Sequence, residues 1–273
     1  MATLMEQLNE TAAFIKQHTK VTPTVGVVLG SGLGNFTDGM KIESEIPYGD
    51  IPHFPVSTVK GHKGKLIFGE MGGKKVIAMA GRFHFYEGYT PQQLIYPVRV
   101  MKMLGVETLF LSNAAGGTNS QWSVGDLMII KDHISFFSVN PLLGKNEEEL
   151  GPRFPDMSEP YSNDLISKAK RIAESLEIPV HTGVYLAATG PTFETRAEYH
   201  LVKLMGAEAV GMSTVQEVIA AVHCGMKVFA MSVITDIGIR EELNTITHEE
   251  VLEAANAAEP KLTAIFTKLI AEM

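Results

Sequence analysis

The chain has 273 residues, 45% of them hydrophobic, a formal net charge of −8 and one cysteine, Cys224. That size and apolar content are enough for a large core unaided, and a lone cysteine excludes an internal disulfide or a thiolate zinc cluster. The acidic balance, with no dense Lys/Arg block, argues against a nucleic-acid backbone as partner.

In chain order, MATLMEQLNETAAFIKQHTK reads as an amphipathic helix carrying Glu6 and Glu10. It has neither the basic start nor the apolar core of a secretory leader. No run approaches the roughly 18 apolar residues of a membrane span, so a soluble, cytoplasmic protein without membrane contacts is expected. Strands are predicted over residues 25–29, 65–71, 75–80, 108–112, 126–130, 182–188 and 227–234. These runs are mostly continuous rather than alternating, the pattern of strands buried on both faces. Gly72-Gly73 joins two of them as a hairpin turn, which makes the sheet mixed. Helix starts are legible as capping boxes at Thr90-Pro91-Gln92-Gln93, Thr195 with Glu198, Thr214 with Glu217, and Thr247 with Glu250. Gly105 and Gly206 stand where the first two of these helices end, and Pro260 is expected to bend or interrupt the last helix. Residues 136–164 form the longest stretch without clear structure, expected to be functional or to sit at a subunit contact. Strand and helix alternate from end to end, which predicts one α/β domain over residues 1–273 around a central sheet.

The stretch TVGVVLGSGLGNF, residues 24–36, carries the first chemistry. A β-branched run breaks into Gly30-Ser31-Gly32-Leu33-Gly34, a loop that lets an anion approach the backbone. The dinucleotide fingerprint would need a glycine where Asn35 stands, followed by a helix and a second strand ending in an acid. Neither follows, so an NAD-dependent oxidoreductase ranks below a small-anion seat. A glycine turn without a ligand remains open at this point.

Further anion ligands leave strand ends. In GRFHFYEGY, Arg82 and His84 are two apart and point the same way in extended chain, a planar fork beside a second donor. Arg82 alone would fit a surface salt bridge. His62 sits in KGHKGK, otherwise a solvated turn. SNAAGG, residues 112–117, offers small residues and open backbone N–H groups. GMST places Ser213 at a helix start, where orphan N–H groups attract anions, although an ordinary cap would look the same.

In YLAATGPTFETRAE, Tyr185 lies in a strand, and Phe193 and Glu194 follow a glycine-proline turn. Glu194 is not needed as a cap, since Thr195 and Glu198 serve, so a carboxylate beside an aromatic is available to accept an N–H from a flat heterocycle. MSVITDIGI ends a buried strand at Thr235-Asp236, a position where acids are more often functional than structural. His248 lies in the last helix start and is read either as a ligand contact or as a first-turn polar residue.

Taken together and in order, GSGLG, GHKGK, GRFHFYEGY, SNAAGG, GPTFET, VGMSTVQEV and THEEVL resemble the trimeric class of purine nucleoside phosphorylases, over residues 21–251. The resemblance implies a single α/β domain with a central mixed, partly barrel-like sheet flanked by helices. It implies a homotrimer with no metal or organic cofactor. It implies phosphorolysis of purine (deoxy)ribonucleosides by orthophosphate, a co-substrate, to free base and (deoxy)ribose 1-phosphate, in purine salvage. Carried onto matching positions, Ser31, His62, Arg82, His84, the Ala114 backbone and Ser213 would hold phosphate. Tyr86 and Met212 would touch the sugar, and Tyr185 and His248 would lie near its hydroxyl end. Phe193 would flank the base, Glu194 would accept its N1–H, and His84, Glu194 and Asp236 would stand closest to the reaction.

Two positions depart from the family. Asp236 replaces a common asparagine that donates to the base, and an ionised Asp only accepts. It could accept from a 6-amino group, as in the related methylthioadenosine phosphorylases, which lack the glutamate kept here as Glu194, or work protonated as a donor, so the choice between 6-oxo and 6-amino purines stays open. Leu150 stands where an aromatic often enters a neighbouring subunit's site. The alternatives to a 6-oxopurine phosphorylase are therefore a 6-aminopurine or methylthioadenosine phosphorylase and a nucleoside-binding protein without turnover.

Overall fold

Apolar runs buried along their whole length build the centre of the molecule. The structure, a computed structural model, describes residues 2–58, 63–239 and 245–273. Among these, the strands are β1 (Val25–Val28), β2 (Lys41–Pro47), β3 (Lys65–Met71), β4 (Lys74–Ala80), β5 (Thr108–Gly117), β6 (Leu127–Ile134), β7 (Val180–Ala187), β8 (Ala209–Gly211) and β9 (Lys227–Ile237). The helices are α1 (Leu4–His18), α2 (Pro91–Met103), α3 (Asn163–Ser175), α4 (Arg196–Leu204), α5 (Val215–His223) and α6 (His248–Ala271).

The strands join in one sheet of order β2-β3-β4-β1-β5-β8-β7-β6-β9, and an added β5–β9 pairing closes its second half into a five-stranded barrel. β1 runs parallel to β4 and β5, while β3 and β4 form an antiparallel hairpin. Gly72 and Gly73 turn that hairpin with φ of 58° and 76°, the doubly left-handed turn that matches strand twist. The expected α/β class and mixed, partly barrel-like sheet are what the structure has.

Several boundaries differ from expectation. β5 does not stop at Ser112 but continues through SNAAGG to Gly117, paired with β9 up to Ile237. Its glycines permit this, since a Cβ on Gly117 would meet Ile237 and Ile234 at 2.9 and 3.0 Å. β2 was hidden by its exposed, charge-rich edge position, and β8 is three residues long. Pro260 does not interrupt α6, which runs through it for 24 residues. The proline's cost of about 3 kcal/mol is offset by the apolar face α6 buries, where Phe266 packs on Phe110 and Phe229 with ring centroids 5.2 and 5.8 Å apart. Each fully buried side chain of that kind contributes about 1.5–3 kcal/mol.

No strand or helix of three or more residues occupies 136–161, where Phe136 and Phe154 are 86% and 87% exposed. Leu150, by contrast, is buried in the core of its own chain, so its side chain does not project toward a neighbour. Among the described residues, no helix is long and apolar enough to cross a membrane.

Candidate active site

Residue Leu111 is the last of β5 paired with β1, and Gly116 the first paired with β8. Between them one edge of β5 has no strand beside it among the described residues. The β5–β9 register also shifts at Ala115/Gly116, a bulge of the kind found beside active sites. A pocket opens at this gap, lined by loops and ends of β1, β4, β5, β8 and β9 and by the start of α6.

Ser31, Arg82, His84, Ala114 and Ser213 line the pocket, as do Tyr86, Phe193, Glu194, Met212, Asp236 and His248. His62 lies outside the described residues. Tyr185 is the exception among the described candidates. It is fully buried beneath the wall, where its hydroxyl accepts a hydrogen bond from the Ser213 N–H at 3.4 Å. Burial pushes that phenol up to about 12, so it stays neutral. It supports Ser213 from behind the pocket wall.

The donor end is held by buried chemistry. A Cβ on Gly30 would come within 2.8 Å of the Asn113 Cα and the Ser112 carbonyl. Only glycine lets the loop approach β5 so closely, with its N–H donating to Ser112 Oγ at 3.2 Å. Arg82 is 1% exposed and ties three elements together. Its Nε donates to Glu217 Oε1 at 3.0 Å, and Nη1 to the Ser112 carbonyl at 2.6 Å and to Ser213 Oγ at 3.4 Å.

Ser213 owes its direction to Thr214, whose φ of 74° is rare for a β-branched residue. Such strain costs about 1–3 kcal/mol and is held in place here from two sides. Asn113 Nδ2 donates to Thr214 Oγ1 at 2.9 Å, and the Thr214 N–H donates to Glu217 Oε2 at 3.0 Å. Glu217 thus caps α5 with one oxygen and orients Arg82 with the other. The cap is legible in the sequence; the second task is not, because Arg82 lies 135 residues away.

His84 stacks on Tyr86 at 4.8 Å, and its Nδ1 lies 3.1 Å from Glu87 Oε1. Burial would raise the Glu87 carboxyl, but hydrogen bonds from His84 and Thr58 outweigh it and hold it down at about 2. An ionised Glu87 accepts only, so Nδ1 carries the donated proton.

The opposite chemistry gathers around Glu194. Burial pushes its carboxyl up to about 7; Asp236 and Glu198 add to the rise, while hydrogen bonds from backbone and Tyr199 oppose it. Its Oε1 is buried with no hydrogen-bond partner among the described residues. As the sequence requires, Thr195 and Glu198 cap α4 without it, Thr195 N–H to Glu198 Oε2 at 2.6 Å. Asp236, 5% exposed, accepts the Tyr199 hydroxyl at 2.6 Å. Tyr199 also lines the pocket and was missed, because its partner lies 37 residues away and no local pattern marks it.

The arrangement combines a cationic, hydroxyl-rich seat for a small oxyanion with a carboxyl pair suited to the N–H edge of a flat ring. Comparison with known proteins agrees. The sequence profile of the Phosphorylase superfamily matches residues 24–271. The chain is 50% identical over 267 residues to purine nucleoside phosphorylase 1 of Bacillus subtilis (strain 168), covering 98% of this chain and 97% of that protein. Schistosoma purine nucleoside phosphorylase in complex with hypoxanthine superposes with a TM-score of 0.95 at 42% identity, covering 100% of this chain and 99% of that one. The Schistosoma mansoni enzyme in complex with adenosine gives the same TM-score, identity and coverage.

Proposed function

The chain belongs to the purine nucleoside phosphorylases of the phosphorylase superfamily, and from that premise we propose how its pocket divides the reaction. It is an enzyme that splits purine nucleosides with orthophosphate, giving free base and pentose 1-phosphate. The observation that carries this reading is the meeting of Arg82 with Ser213, at 3.4 Å, in one pocket with Ser31, His84 and Glu194.

Phosphate held by Ser31, Arg82, His84, Ser213 and the Ala114 backbone is the nucleophile on one face of the sugar. The glycosidic C–N bond breaks as the phosphate C–O bond forms, through a transition state with positive charge on the sugar and negative charge on the base. Fixing the oxyanion against the anomeric carbon supplies both proximity and counter-charge. Tyr86, Met212 and His248 enclose the sugar, Phe193 flanks the base, and Glu194 and Asp236 meet its edge. The donors for phosphate all come from side chains and backbone, so the reading calls for no metal or organic cofactor.

Glu194 can serve either class of base. Ionised, it accepts the N1–H of a 6-oxopurine; protonated, it donates to the bare N1 of a 6-aminopurine. Its carboxyl titrates at about 7, so the protonated form prevails below that pH and the ionised form above it. The ratio of kcat/KM for adenosine to that for inosine should therefore rise as pH falls from 8 to 6. A flat ratio across that range would remove Glu194 from base recognition. A 6-aminopurine activity is a second reading that Asp236 favours, because an acceptor suits a 6-amino group; a methylthioadenosine phosphorylase is the form in which one related group shows it.

The homotrimer is proposed on the exposed aromatic loop. Phe136, Leu143 and Phe154 are exposed and line a groove of about 500 Å³, apolar side chains that a neighbouring subunit would cover. The cytoplasm and a place in purine salvage complete the proposal, the first supported by the unpaired thiol of Cys224. The test of the whole reading is phosphate dependence: hypoxanthine should appear from inosine when phosphate is added and not without it.

A further inference from the structure

The base end of the pocket contains a buried phenol that the phosphorylase reading leaves without a task. The ring of Tyr199 is seated in two glycine notches. A Cβ on Gly116 would stand 2.2 Å from its hydroxyl oxygen, and one on Gly238 would stand 2.1 Å from its Cγ. Neither glycine has a positive φ, so what glycine supplies at both places is room for this ring. Leu186, Val202, Ala207 and Val210 pack around it, leaving it 2% exposed. A ring so confined holds its hydroxyl oxygen at one point, 2.6 Å from Asp236 Oδ2 and within hydrogen-bond reach of Glu194.

The consequence is electrostatic. A hydrogen bond donated to a carboxylate favours its ionised form and is among the stronger kinds. The second carboxyl beside the phenol is Glu194, and one phenolic proton cannot be donated to both. With the proton on the Asp236 side, Asp236 is the acceptor of the pair and Glu194 is the one that takes up a proton first as the pH falls. An acceptor at 236 repels a 6-oxo group and welcomes a 6-amino group. A protonated Glu194 complements the same base at N1.

We propose that Tyr199 is a specificity-determining positioning residue, which holds Asp236 as an acceptor and so lets the pocket take 6-aminopurine nucleosides alongside 6-oxopurine ones. This rests on the phosphorylase reading for its substrates. Tyr199 acts through Asp236, without itself bonding the base. Removing its hydroxyl deletes one hydrogen bond to the ionised form and so makes it easier for the carboxyl to take up a proton and donate toward the 6-oxo and N7 edge.

The test is a double-mutant cycle read as a substrate ratio. Tyr199→Phe keeps the ring that fills both notches and deletes the hydroxyl alone. It should lower the adenosine-to-inosine ratio of kcat/KM by about tenfold, the scale of one lost hydrogen bond to a charged group. In the Asp236→Asn background the same Tyr199→Phe change should leave that ratio within about twofold, since there is no carboxylate left to hold. Equal losses for both nucleosides, or an undiminished ratio change in the Asp236→Asn background, would reduce Tyr199 to a structural part and overturn the proposal. Affinities for adenine and hypoxanthine are measured calorimetrically on the same four proteins. A parent chain that binds bases but releases none from nucleosides would sink the phosphorylase reading, while the ratio of base affinities would still decide Tyr199.

Discussion

Replacing Glu194 by alanine is expected to lower kcat/KM for inosine by about one to two orders of magnitude while leaving the melting temperature near that of the parent chain. The size follows from where the carboxyl stands. It is buried, and its Oε1 has no hydrogen-bond partner among the described residues, so it is available to the base. A hydrogen bond to a charged group contributes about 1.5–3 kcal/mol, and one that fixes the base and sugar in line with the bound phosphate contributes to kcat as well as to KM through orientation. The small effect on stability follows from what Glu194 does not do. Thr195 and Glu198 close the start of α4 between themselves. Activity within about threefold of the parent would show that the residue contributes nothing made in the transition state.

Arg82→Met should have two separable effects. The guanidinium is buried against Glu217, whose side chain is 8% exposed. Removing one partner of such a pair strands the other, at a cost of about 3–5 kcal/mol. Phosphate also loses the positive charge of the guanidinium at its seat, and turnover should fall by at least about a hundredfold. Adding Glu217→Gln removes the stranded charge, and its amide oxygen can still accept the Thr214 N–H. The pair Arg82→Met/Glu217→Gln should therefore regain most of the melting temperature and none of the activity. Recovery of both would mean that Arg82 holds the fold and not the phosphate.

Much of this site was readable before any coordinates, because it is built at strand ends. Strands such as β3 and β9 are apolar on both faces and stand out from their surroundings. The loops after them then carry chemistry at known offsets: Ser31 past β1, Arg82 and His84 past β4. Capping boxes at Thr90, Thr195 and Thr247 are local, and each appears with the hydrogen bonds expected. What was not readable depends on distant packing. β2 is an exposed edge strand whose alternation is broken by a register shift between Ile42 and Ser44. SNAAGG looks like a loop because it lacks bulky residues, yet that lack is what lets β5 run on into the barrel. Tyr185 was assigned to the sugar from resemblance, whereas its ring fills the space beside Gly211, where a Cβ would lie 2.4 Å from its hydroxyl. The two tasks of Glu217 and the clamp of Tyr199 on Asp236 join residues 135 and 37 apart. No window of sequence contains either pair.

Phosphorus NMR of the protein with inosine and a limiting amount of orthophosphate follows the nucleophile itself. One pentose 1-phosphate should form for each hypoxanthine released, and release should cease when the phosphate is consumed. Hypoxanthine accumulating together with unphosphorylated sugar, at undiminished phosphate, would make water the attacking group and contradict the assignment of the Ser31, Arg82 and Ser213 seat.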